Sequence, residues 1–194
     1  MPANRPLLAC LTAAALLAGG AAVLNLPAPA AQAQLQQSDD TTSLIGEEAP
    51  MFKLPLAGGG KADLSEHLGK DIVVLDFWAT WCGPCVYALP QVTEAMDELA
   101  DQNVVFYAIN LREGENKIRR FKKDKDLEFD SPMDARGEVG EAYKVEGIPT
   151  TVVIGTDGKI AKVHVGAGPN VGEVLKADVE ELLAKAEASD DSDG

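Results

Sequence analysis

Histidine, cysteine and basic residues are all scarce in this chain, and each shortage removes a class of function. Three cysteines among 194 residues are too few for a disulfide-stapled scaffold. The only histidines are His67 and His164, far apart on either side of the cysteine pair at Cys82 and Cys85, and neither has the spacing of a zinc site. Seventeen Lys and Arg stand against 31 Asp and Glu, a net charge of −14. That balance argues against nucleic-acid binding, because phosphate affinity comes from clustered cations. What remains is ordinary for a globular protein: 46% apolar and 25% charged residues, in a length suited to one domain.

Charge is also missing locally. Between Met1 and Ala33 the only charged side chain is Arg5. An apolar stretch over residues 7–26 follows it, then Pro27-Ala28-Pro29 and the small triplet Ala31-Gln32-Ala33. A positive start, an apolar middle and an A-x-A site describe a signal peptide over residues 1–33, cut before Gln34. An uncleaved membrane anchor is the alternative, weakened by Gly19-Gly20 in the middle of the run. Either way the remainder is expected to be exported, to the periplasm or another extracytoplasmic space. Cys10 precedes most of the apolar run instead of following it, so it reads as a small leader residue and not a lipidation site.

Removing the leader leaves 161 residues with 16 basic and 31 acidic side chains, net −15, and only Cys82 and Cys85. In an oxidising compartment such a pair is either a short-range disulfide or a redox couple. Residues 34–43 are polar and read as a flexible linker, residues 44–188 as the folded domain, and residues 189–194 (SDDSDG) as a disordered acidic tail.

Within the domain, the apolar run at 72–78 (IVVLDFW) suits a strand buried on both faces. Leu89, Val92, Met96 and Leu99 recur at helical spacing within residues 84–100. A second buried strand at 104–109, a helix at 116–125 and a short helix at 138–143 follow. The turn at 156–159 (TDGK) joins strands at 150–154 and 160–165 into an antiparallel hairpin, and a last helix covers 171–186. The order β-α-β-α, hairpin, α predicts a three-layer α/β fold with a central sheet covered by helices on both faces.

Trp81-Cys82-Gly83-Pro84-Cys85 falls where the first strand ends and the long helix begins. Unpaired N–H groups and the helix dipole stabilise negative charge there, so a thiolate at Cys82 is favoured. Pro84 fits the first helical turn, where its missing N–H costs nothing. Cys85 lies one turn further in. The asymmetry makes Cys82 the attacking and Cys85 the resolving sulfur. Half a zinc site and an inert disulfide are the competing readings; no metal and no cofactor are expected.

Residues 74–85 (VLDFWATWCGPC) resemble the active-site stretch of thioredoxins. Gly147-Ile148-Pro149-Thr150 resembles that superfamily's cis-proline loop, and residues 49–55 (APMFKLP) with 64–70 (LSEHLGK) resemble the N-terminal extension of its secreted TlpA/ResA branch. The resemblance implies a thioredoxin-like mixed sheet and a thiol-disulfide oxidoreductase. It implies that Asp76 is a buried carboxylate serving as proton acceptor for Cys85, with its pKa raised by burial. It implies a cis bond before Pro149, with the backbone of Ile148 pairing to an extended substrate. Trp81, Gly83 and Pro84 complete the docking surface; Trp78 packs inside. Family members often carry Glu three residues after the second cysteine, where this chain has Ala88.

From the resemblance also follow the expected partners: protein disulfides as substrates, a membrane thiol reductase as electron donor, and a monomeric enzyme. Cytochrome c maturation, copper-site assembly and general repair are all compatible. A thiol peroxidase and a non-enzymatic binding module are the alternatives. His67 and His164 read as surface histidines, and the basic run at 117–125 (KIRRFKKDK) as a solvated helix face with Ile118 and Phe121 turned inward, docking to an acidic partner or an anionic membrane surface being the alternative.

Overall fold

A computed structural model describes residues 41–190 of the chain. The leader and the linker up to residue 40 lie outside the described residues, as do residues 191–194. No helix among those described is long and apolar enough to cross a membrane.

The backbone of the domain is a five-stranded mixed sheet. Strands β3 (Ile72–Trp78), β4 (Val104–Leu111), β5 (Met133–Asp134), β6 (Thr150–Ile154) and β7 (Ile160–Val165) stand in the order β5-β4-β3-β6-β7. β3 runs parallel to β4, and β4 to β5, while β6 is antiparallel to both β3 and β7. All seven residues of β3 are buried, as a central strand covered on both faces requires.

Alternation along β3 sorts the two faces. Val73, Leu75 and Phe77 enter one cluster with Phe52, Leu64 and Tyr143. Ile72 and Val74 pack against Val92, Met96, Leu175 and Val179, and Trp78 against Leu89, Ile118 and Phe121. The second face is therefore covered by α1 (Gly83–Asp97), α2 (Glu115–Lys125) and α4 (Val171–Asp190). The first is covered by the small hairpin β1 (Lys53–Pro55) with β2 (Lys61–Asp63) and the five-residue helix α3 (Glu138–Ala142). Helices do lie on both faces, unequally. Ile118 and Phe121 anchor the basic helix, as their spacing implies: the Phe121 ring lies tilted against Trp78, with centroids 5.0 Å apart.

Four local expectations change. The ordered part begins before residue 44: Thr41 is buried and its hydroxyl donates to the Lys144 carbonyl at 2.6 Å. Residues 42–44 form a 3-10 turn, so the linker ends sooner than its polar composition suggests. At the other end α4 runs to Asp190, two residues into the presumed tail. The edge strand β5 and the β1–β2 hairpin were invisible to periodicity because each strand has only two or three residues. Neither histidine is merely solvated: His67 bridges Asp71 (2.8 Å) and the Tyr107 hydroxyl (2.9 Å), and His164 Nε2 lies 2.7 Å from Asp178 on α4.

Candidate active site

The site forms where β3 hands over to α1. Cys82 is the N-cap of α1, in extended conformation at φ −81° and ψ 102°, and the Cys85 N–H donates to its Sγ at 3.1 Å. A sulfur thus occupies the place where Ser or Asp usually caps a helix, facing the unpaired N–H groups. Cys82 and Cys85 are joined in a disulfide with Cα atoms 5.2 Å apart. Cys82 keeps 5% of its surface exposed and Cys85 none. Of the two cysteines, Cys82 is the less enclosed.

Opposite the cysteines lies the loop before β6. The Ile148–Pro149 bond is cis, and the Ile148 carbonyl oxygen is 3.6 Å from Cys82 Sγ. The Thr150 hydroxyl donates to the Gly147 carbonyl at 2.7 Å and ties the loop to the strand behind it. Trp81 is 69% exposed beside this loop. An open groove of about 530 Å³ runs from Trp81 and Ile148 past Gly147 and Val145 to Leu111 and Arg112. Gly83 and Pro84 are exposed on the first turn of α1, next to the disulfide.

Asp76 lies beneath. By strand alternation its side chain shares the α1 face with Val74 and Trp78, and it is 1% exposed. The Thr151 hydroxyl, its neighbour across the β3–β6 ladder, donates to Oδ1 at 2.9 Å. Among the described residues Oδ2 has no hydrogen-bond partner. Burial pushes the carboxyl up to about 7, against the smaller opposing effect of the Thr151 bond. A carboxyl that exchanges its proton near neutral pH, with one oxygen uncommitted, can take a proton from a neighbouring thiol. Ala88 is buried on α1, so no second carboxylate stands at that position.

One polar group of this region carries no signal in the sequence. Glu113, in the β4–α2 loop, has only 4% of its side chain exposed. It accepts hydrogen bonds from the Thr80 N–H and hydroxyl, both at 2.7 Å, and from Asn110 Nδ2 at 2.9 Å. A lone Glu before a Gly, at the start of a charged helix, reads as a solvated residue; only the packing brings it to Thr80.

Residues 45–163 match the AhpC/TSA family. The chain shares 34% identity over 141 residues with the thiol-disulfide oxidoreductase ResA of Bacillus thuringiensis subsp. konkukian, covering 73% of this chain and 78% of that protein. It is an AhpC/TSA-family thiol-disulfide oxidoreductase. Its fold is similar to that of StoA from Bacillus subtilis, with TM-score 0.59 and 26% identity over 67% of this chain and 96% of that one. A secreted disulfide oxidoreductase of Mycobacterium tuberculosis, homologous to E. coli DsbE, matches with TM-score 0.59 and 25% identity over 68% and 96% of the two chains. In this oxidoreductase the Cys82–Cys85 disulfide stands at the head of α1. Among the described residues no group of His, Cys, Asp and Glu is arranged to hold a metal ion.

Proposed function

We propose that this oxidoreductase works outside the cytoplasm as a reductant of protein disulfides. The observation that carries the reading is the seat of Cys82: a helix-capping sulfur, facing the cis-proline loop, with Asp76 on the same face of the sheet. In the reduced enzyme the Cys82 thiolate attacks one sulfur of a target disulfide and expels the other as thiolate. The mixed disulfide lies along the loop, where the Ile148 backbone pairs with an extended substrate segment and Trp81, Gly83 and Pro84 form the docking surface. Cys85 gives its proton to Asp76 and attacks Cys82 Sγ. The target leaves as a dithiol and the enzyme as the Cys82–Cys85 disulfide, two electrons having moved to the target.

Export rests on the leader-like residues 1–33 and on the secreted relative. Since the bacterial periplasm is kept oxidising, regeneration of the dithiol calls for an electron source, for which a membrane thiol reductase is suited. The enzyme acts as a monomer, without cofactor or metal. The Gly83-Pro84 pair and Asp76, which resemble those of thioredoxin, favour a potential near its value of about −270 mV over that of the oxidant DsbA, about −120 mV. Tryptophan fluorescence against a redox buffer measures it; a potential above about −150 mV would assign the protein to oxidation or isomerisation instead. Cys85→Ser is expected to trap protein substrates at Cys82, and an empty trap in the native compartment contradicts the reading.

A further inference from the structure

β3 and β4 are parallel neighbours, so the turn that leaves β3 and the loop that leaves β4 emerge side by side at the same edge of the sheet. The first carries Cys82. It is a turn from Ala79 to Cys82, closed by the Cys82 N–H donating to the Ala79 carbonyl at 3.1 Å. Within such a turn the N–H of the second residue, Thr80, has no acceptor. The second loop supplies one. Glu113 Oε2 accepts from the Thr80 N–H and from Asn110 Nδ2, while Oε1 accepts from the Thr80 hydroxyl and pairs with Lys117 Nζ at 2.5 Å. Asn110 is itself the ladder partner of Trp78, the last residue of β3, so the contact closes a small ring between the two strand ends.

We propose that Glu113 is a positioning residue for the dithiol reaction: through Thr80 it fixes the turn that displays Trp81 and seats Cys82 at the head of α1. The chemistry of the surroundings requires a carboxylate. All four groups that meet Glu113 are donors, two on each oxygen. An amide of the same shape has one acceptor atom: with its NH₂ at Oε2 it faces two N–H donors, and with its NH₂ at Oε1 it faces the Lys117 ammonium and keeps only the Thr80 hydroxyl, turned round to accept. Glu113→Gln is therefore disruptive although nearly isosteric. Thr80→Val removes only the hydroxyl bond, and Thr80→Ser keeps both. The proposal rests on Cys82 being the attacking sulfur.

The test uses the mature protein labelled with 5-fluorotryptophan, with insulin as the disulfide substrate. Relative to wild type, Glu113→Gln is expected to lower kcat/KM about tenfold or more, the size of a lost charge-assisted hydrogen bond at a site that needs alignment. The fluorine resonance of Trp81 should shift or broaden. That of Trp78 should stay, because its indole is buried and donates to the Ala108 carbonyl at 3.0 Å. Thr80→Val should fall between, and Thr80→Ser should match wild type in both readouts. A loss confined to thermal stability, with native turnover per folded molecule and a native Trp81 signal, would overturn the proposal. If Glu113→Gln does not fold, the Thr80 pair decides: native behaviour of Thr80→Val overturns it as well. Mapping the first site of alkylation in reduced wild type tests the foundation separately. Labelling of Cys85 before Cys82 overturns the assignment of the attacking sulfur, and the proposal with it.

Discussion

Two buried carboxylates flank the reactive turn, one on the floor of the sheet and one at its edge, and they are treated in opposite ways. Among the described residues Asp76 on β3 receives one hydrogen bond and keeps an oxygen without a partner. Burial wins, and the group titrates at about 7 instead of its usual 3.8. Glu113 is desolvated too, yet the bonds from Lys117, Thr80 and Asn110 outweigh burial and hold it below its usual 4.5. Deeper burial with a single donor raises Asp76, whereas shallower burial with several donors leaves Glu113 a fixed anion. The difference follows from position. A central strand surrounds its side chains with apolar neighbours, whereas the edge where two loops meet offers backbone N–H groups and a lysine from solvent.

The sharpest way to break this contrast is to remove the titrating member. Asp76→Asn should slow the resolving step about a hundredfold, as loss of a general base does, measured by decay of the mixed disulfide. The same variant reads out in stability, with a definite sign. A native carboxyl that keeps its proton to about 7 contributes stability that is present below its usual 3.8 and is lost as pH rises toward 7. Above pH 7 the variant should therefore exceed wild type, by at most about 4 kcal/mol for a shift of this size, and the gap should vanish in acid. Equal denaturation curves at pH 8 would refute the raised pKa.

Glu113→Ala tests the other member. It leaves the Thr80 N–H and Asn110 without their acceptor and should cost about 2–3 kcal/mol in denaturant melts near neutral pH. The sign is opposite to that of Asp76. A carboxyl held below 4.5 stabilises above that value and loses its contribution as pH falls through the native pKa, so wild type and variant should converge in acid. Thr151→Val sharpens the contrast from within. Removing this donor to Asp76 should move its titration further above 7 at a cost of about 1 kcal/mol, followed by the pH dependence of resolution. The smallest effect belongs to Lys117→Met. Its side chain is 58% exposed, so the pair with Glu113 should be worth less than about 1 kcal/mol and weaken further in salt.

How far these features could be read from the sequence follows their range along the chain. The run Ile72–Trp78 was legible as a doubly covered strand because seven consecutive residues shared one environment. The pair Cys82 and Cys85 was legible because a strand end, a proline and a helical stripe meet within a few residues. Asp76 stood out as a lone charge inside an apolar run. The β1–β2 hairpin and β5 were not legible, since their short strands exist only by pairing with partners, β5 with β4. His67 looked solvated among polar neighbours; Tyr107, 40 residues away, is what holds it.

By itself, then, the sequence determined the order of the long strands and helices, the cysteine pair at a helix start and the acid inside a buried strand, because each rests on residues a few positions apart. Only the tertiary structure decided which groups surround that pair. Parallel pairing of β3 with β4 brings Glu113 to Thr80 across 33 positions; the approach of Ile148 to Cys82 across 66 was expected from the family resemblance and not from any local pattern. Such contacts depend on strand order and register, which no local pattern of residues encodes.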